Sequence, residues 1–290
     1  MVRVGPAGWD YPDWYGTVYP KPKPKGFDAL KYVSGYFNTI EINSTFYRPP
    51  SAEVAQKWVE RVSANRAFRF TAKLWRRFTH ERAEAFSADD VRAARDALDV
   101  LFDAGRLGAV LLQFPWSFRR SDDNTEWLSD VVNQFAHLPL VLEVRHESWN
   151  DSEVRDWLVE RNVGLVNIDQ PLFSKSIKPS AHAISPVGYV RLHGRNYQQW
   201  FRKSAGRDER YDYLYKRQEL EPWVERIKAI SAQSKDVYAV TNNHRLGKAA
   251  TNAQMMESML TGKIVDAPPD LFRNYESDLA DFARPKVLSP

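Results

Sequence analysis

Eight short apolar runs, recurring roughly every thirty residues, constrain this chain more than any single motif does. They lie at residues 2–5, 39–43, 68–73, 109–114, 140–144, 163–168, 189–193 and 237–240, each bounded by polar or turn-forming residues. Runs of this kind read as strands of a parallel sheet buried on both faces. Between them come stretches with helical periodicity at 28–36, 51–62, 87–102, 121–135, 152–161, 220–230 and 252–260, several opening on a serine or acidic first turn suited to capping. Strand alternating with helix predicts an α/β fold, and eight such units without a linker favour closure into a (β/α)8 TIM-like barrel. The expectation is a single barrel domain over 1–290, with residues 265–290 as a tail that packs on it or is loosely ordered. One unit is irregular: Pro171, Pro179 and Pro186 interrupt any amphipathic period, so the sixth helix is expected to be degenerate.

Composition narrows the function classes. With 43% hydrophobic and 27% charged residues, the chain is globular in character. It has no cysteine, which excludes disulfides, thiolate nucleophiles and cysteine-ligated clusters. The N-terminus lacks a charged leader followed by an apolar stretch, and no apolar run nears the roughly 18 residues that cross a bilayer. A soluble, cytoplasmic protein with no membrane partner is therefore expected. A net charge of +4 tilts its partners mildly towards anions.

The polar residues gather where the apolar runs end. In a barrel those ends converge on one rim, and there active sites are built. Read in order they are Trp9 and Tyr11, Glu41 and Asn43, Lys73, Gln113, Glu143 with Arg145 and His146, Asp169, Arg191 with His193 and Arg195, then Asn242, Asn243 and His244. The two-residue period of a strand puts Glu143 with Arg145, and Arg191 with His193, on one face each. Barrel interiors are ordinarily filled by Val, Ile and Leu, so this many charges at one level predicts a mutually neutralising network that serves a site. Aromatics surround the same level: Trp9, Tyr11, Trp14, Tyr15, Phe46, Tyr47, Trp75, Phe78, Trp116, Trp149 and Trp200. Flat faces beside cations suit sugars or nucleobases carrying an anionic group. Trp14, Tyr15 and Trp149 read better as loop packing.

These segments resemble the YecE-like family, known as domain of unknown function 72. The resemblance rests on Gly5-Pro6-Ala7-Gly8-Trp9-Asp10-Tyr11, Glu41-Ile42-Asn43-Ser44-Thr45-Phe46-Tyr47, Lys73 with Thr79-His80, and Gln113-Phe114-Pro115. It continues in Glu143-Val144-Arg145-His146, Asp169-Gln170-Pro171, Arg191-Leu192-His193-Gly194-Arg195 and Thr241-Asn242-Asn243-His244. It implies a barrel fold and brings no activity with it. Where the family usually has Thr or Cys, then Ser, between the first two glycines, this chain has Pro6 and Ala7, so that turn offers no nucleophile.

The reading favoured by these residues is a hydrolase or lyase acting on an anionic small molecule, such as a sugar phosphate or nucleotide. Glu41, Glu143 and His193 are the candidates for catalysis. Trp9, Tyr11, Asn43, Tyr47, Lys73, His80, Gln113, Arg145, His146, Asp169, Arg191, Arg195, Asn242 and Asn243 are the candidates for substrate binding. No cofactor and no metal is expected. Three alternatives compete. A metal-dependent phosphodiesterase would use Glu143, Asp169 and His193, although Arg145 would repel the cation. A retaining glycosidase would use Glu41 and Glu143, about 5–5.5 Å apart. A non-catalytic module for nucleic acid or another ligand would bind through Arg76, Arg77, Arg202, Lys203 and Arg207.

Overall fold

The computed structural model describes residues 1–200, 202 and 207–288, with Gln199, Trp200, Arg207 and Asp208 described in the backbone alone. Lys203 and the side chains of Trp200 and Arg207 lie outside the described residues. The eight expected strands all form: β1 (Val2–Pro6), β2 (Thr39–Ile42), β3 (Arg69–Lys73), β4 (Leu107–Gln113), β5 (Leu140–Glu143), β6 (Gly164–Asp169), β7 (Val187–Leu192) and β8 (Asp236–Thr241). They pair in parallel in the order β1-β8-β7-β6-β5-β4-β3-β2. The two ends of that sheet meet through a bridge between Ala7 and Glu41 and a Gly8 N–H to Glu41 carbonyl bond of 2.8 Å, so the cylinder closes. Gly5 sits at this seam. A Cβ placed on it would lie 1.8 Å from the Thr39 carbonyl oxygen.

Strand alternation sorts the side chains into two layers. Ile40 and Ile42, Leu140 and Leu142, and Val190 and Leu192 join the large cluster packed beneath the helices. Val141, Val166, Ile168, Tyr189, Tyr238 and Val240 fill the lumen. The residues that alternate with the outward set at the upper ends of the strands are Glu41, Glu143 and Arg191, all buried. Fully burying a large apolar side chain contributes about 1.5–3 kcal/mol, and both layers are built of such residues.

Helices Ala52–Arg61, Ala88–Asp103, Asp122–Gln134, Ser152–Glu160, Arg217–Ser231 and Lys248–Thr261 occupy the expected intervals. Ser87 and Asp90 form a reciprocal capping box at the second of these, and Ser121 accepts from the Asn124 amide at the third. Between β6 and β7 there is no helix. Residues 170–186 instead run along the loop after β5, through a His146–Ser176 bridge and an Ile177 N–H to Arg145 carbonyl bond of 3.1 Å. Asn167 fastens the returning end: its side-chain oxygen accepts from the His182 amide at 2.7 Å and the Ser180 hydroxyl at 2.8 Å. At the C-terminus, strands Val265–Ala267 and Ala283–Pro285 pair beside the barrel, and the Tyr36 hydroxyl donates to the Lys286 carbonyl.

Candidate functional site

The upper ends of β2, β5 and β7 are tied by one arginine. Arg191 donates through Nε and Nη2 to the two oxygens of Glu41, at 2.9 and 2.6 Å, and through Nη1 to Glu143 Oε2 and to Gln113 Oε1, both at 3.1 Å. Tyr189 donates to Glu41 Oε2 at 2.9 Å and is itself hydrogen-bonded to Thr71. Arg145 reaches Glu143 Oε1 at 3.0 Å. All four lone-pair-rich oxygens of the two buried carboxylates therefore face donors, as charges removed from water require.

His193 sits in the same layer, fully buried. Its Nε2 lies 3.1 Å from Glu143 Oε1 and its Nδ1 lies 3.1 Å from the Asn242 amide nitrogen. Asn242 can donate only from that nitrogen, so Nδ1 accepts and the proton resides on Nε2, facing Glu143. Burial lowers its pKa to about 3; Glu143 opposes that shift, and Arg191 and Arg145 reinforce it. His193 is a neutral hydrogen-bond bridge near neutral pH. For Glu143, burial alone would push the pKa up, but His193, Arg191 and Arg145 hold it well below the usual carboxylate range.

Above this layer opens a cavity of about 330 Å³. Lys73, Arg76 and Arg191 contribute positive charge to its wall; Asn43, His80, Gln113 and Asn242 contribute hydrogen-bonding groups; Tyr11, Phe46, Tyr47, Tyr211 and His244 contribute ring surface. Among the described residues no carboxylate lines it. Tyr11 stacks on His244 with centroids 4.6 Å apart, and Phe46 meets His80 edge to face.

Lys73 stands apart from its neighbours. Its ammonium lies 4.1 Å from the Phe46 ring centroid, and among the described residues it has neither hydrogen bond nor ion pair. Burial, then Arg191, lower its pKa to about 7, while Glu41 and Glu143 pull the other way. His80 is lowered to about 4 by burial, with Lys73, Arg145 and Arg76 adding to the effect, and its Nδ1 is 2.9 Å from the Thr79 hydroxyl.

Of the residues expected at the rim, Tyr11, Asn43, Tyr47, Lys73, His80, Gln113, Arg191 and Asn242 line this cavity. Glu41, Glu143 and His193 form its foundation and do not reach its surface. The remainder turn elsewhere. Trp9 packs against Trp58 and Phe70. His146 accepts from the Ser148 amide and lies edge-on to Trp116. Asp169 pairs with Arg195 through both oxygens and accepts from Tyr215, and Asn243 donates to Asn252 and the Tyr213 carbonyl. Trp14 and Trp149 are buried loop anchors, donating to the carbonyls of His244 and Phe118. Phe46 and His244, read in sequence as a rim aromatic and a strand-end residue, and Arg76, read there only as a phosphate contact of the alternative binding module, line the cavity as well. Tyr211, which follows the segment beyond β7, carried no signal at all.

Residues 3–272 match the family described as "Protein of unknown function DUF72". The "UPF0759 protein YunF" of Bacillus subtilis is 30% identical over 274 residues, covering 90% of this chain and 95% of that protein. The "UPF0759 protein YecE" of Escherichia coli K12 is 26% identical over 176 residues, 58% of this chain and 59% of that protein. A DUF72 family protein from Thermotoga maritima superposes with a TM-score of 0.77 at 29% identity, over 90% of this chain and 99% of the other. One from Enterococcus faecalis gives 0.79 at 25%, over 90% and 96%. With the barrel, its closing seam and its charged layer in place, the match along almost the whole sequence shows that the chain belongs to the DUF72 family.

Proposed function

We propose that the barrel mouth binds an anionic small molecule of sugar-phosphate or nucleotide size, and that the protein acts on it as a hydrolase or lyase. The observation that carries this reading is the cavity wall itself: three cationic side chains and, among the described residues, no carboxylate. Glu41 and Glu143 are matched by Arg191 and Arg145, so Lys73 is a surplus positive charge that an incoming anion would neutralise. The ring surfaces beside it suit a sugar or base. Proton exchange falls to Lys73 better than to Glu41, Glu143 and His193, the residues favoured by sequence. Those three are sealed beneath the floor; Glu143 is held ionised by its partners, and His193 has both nitrogens engaged.

The alternatives have less support. Asp169 is committed to Arg195 and Tyr215, and among the described residues no three His, Asp or Glu side chains gather as a metal site. A glycosidase pair of Glu41 and Glu143 would have to work through Arg191. Arg77, offered above as a phosphate contact, organises its own loop by donating to the carbonyls of Glu81 and Glu84.

The test is thermal shift with phosphorylated sugars, nucleotides and neutral sugars, with and without divalent metal. Phosphorylated compounds should raise Tm, as ligands that favour the folded state do. The pH dependence follows from Lys73. An anion favours its charged form, so binding is full below about pH 7 and weakens up to tenfold per unit as the free protein loses that proton. Lys73→Met should weaken binding about tenfold or more. Neutral sugars shifting Tm as far as their phosphates, or an affinity flat from about pH 6 to about pH 9, would sink the reading.

A further inference from the structure

We propose that Lys73 is a covalent catalytic residue, its amine condensing with the carbonyl of an anionic aldehyde or ketone. The inference rests on the anion-pocket reading above and narrows its substrate class to phosphorylated or carboxylated carbonyl compounds. Three observations carry it. Lys73 terminates β3, so its stem is anchored by a barrel strand, and it lines the cavity together with Gln113 and Arg191. A lysine serving only as a charge is ordinarily held by a carboxylate, and this one has no such partner among the described residues. The Phe46 ring face lies 4.1 Å from its ammonium, and burial with the charges of Arg191 and Arg145 outweighs the pull of Glu41 and Glu143, the combination of desolvation and like charge that releases a free amine for attack.

The anionic group of the substrate would be received by Arg76 and the amides of Asn43 and Gln113, which leaves Lys73 for the carbonyl end. In the step itself the Lys73 nitrogen attacks the carbonyl carbon and a C–N bond forms. The carbonyl oxygen then departs as water carrying both amine protons, and a C=N bond remains. No oxidant or further reactant is needed. Once it takes up a proton from solvent water, the imine draws electrons from the neighbouring carbon, which is lyase chemistry.

The experiment incubates the full chain with pyruvate, and separately with dihydroxyacetone phosphate, in the presence of cyanoborohydride, and maps the modified peptide. The expected result is one reduced adduct per chain, on Lys73, formed faster as pH rises through about 7 and suppressed by inorganic phosphate. That pH trend has the opposite sign to anion affinity, so the two roles separate. Lys73→Arg keeps the charge but cannot form the imine, and Lys73→Met supplies a second variant; both should keep or raise Tm and lose the adduct. Adducts spread over surface lysines, or no adduct while phosphate still raises Tm, would overturn the covalent role and leave the anion pocket standing. No adduct and no shift with any anion would overturn both.

Discussion

Replacing Arg191 with methionine is expected to cost about 3–5 kcal/mol of folding free energy, the range for removing one partner of a buried ionic cluster. The loss comes less from the broken bonds than from what remains: Glu41 and Glu143, both fully buried, stripped of their common cation. Two controls distinguish this from lost packing. Adding Glu41→Gln to the variant should recover a large part of the loss, since a neutral amide tolerates the site far better than a carboxylate. The pH dependence should also change sign. In the natural chain the pKa of Glu143 is depressed, so its contribution is complete above the ordinary carboxylate range and is lost as pH falls. In the variant, burial without a cation raises carboxylate pKa values, so the deficit should shrink on acidification. Urea unfolding of the three proteins at two pH values measures all of this. A cost below about 1 kcal/mol would mean that the layer adds little to stability.

Gly5→Ala should be comparably damaging, at about 3 kcal/mol or more, for a wholly different reason. The added methyl would meet the Thr39 carbonyl of the adjoining strand at 1.8 Å, and backbone cannot rotate away as a side chain can. Strands β1 and β2 would have to separate, opening the seam. As a control, Gly26→Ala meets nothing within 4 Å, although the positive φ of 74° there adds a modest strain of its own. Far-ultraviolet circular dichroism during urea unfolding compares the two. A Gly5→Ala protein as stable as the Gly26→Ala protein would show that the join has slack.

How much of this was legible beforehand depends on the length scale of the signal. Strand alternation is local, so Glu41 between Ile40 and Ile42, and Glu143 between Leu142 and Val144, could be assigned an inward direction from sequence alone. Depth is not local. Whether an inward side chain ends in the floor or in the wall depends on which partner strand supplies a counter-charge, and Arg191 reaches Glu41 across the lumen over 150 positions of chain. Hence Glu143 and His193 read as candidate catalysts at the rim, and the structure buries both beneath the cavity floor. Trp9 was misplaced for a backbone reason: Gly8 adopts a φ of +80° and redirects the chain, so that Trp9 packs on Trp58. Lys73 was found, but its lack of an ionic partner among the described residues is a fact of three dimensions. The irregular sixth unit, by contrast, was written in its prolines.

The seam has a consequence beyond closure. Glu41 joins β2 to β1 through its backbone, by the Ala7 bridge and the Gly8 amide, while its carboxylate is gripped from β7 by Arg191. One residue is thus both latch and counterweight. An anion bound at the mouth, as proposed above, would draw on the charge of Arg191 and alter the tension on that latch, linking occupancy of the mouth to breathing of the cylinder. On that reading the exchange rate of the Gly8 amide with deuterium is expected to change when inorganic phosphate is added, and an unchanged rate would show that the latch does not respond to the mouth.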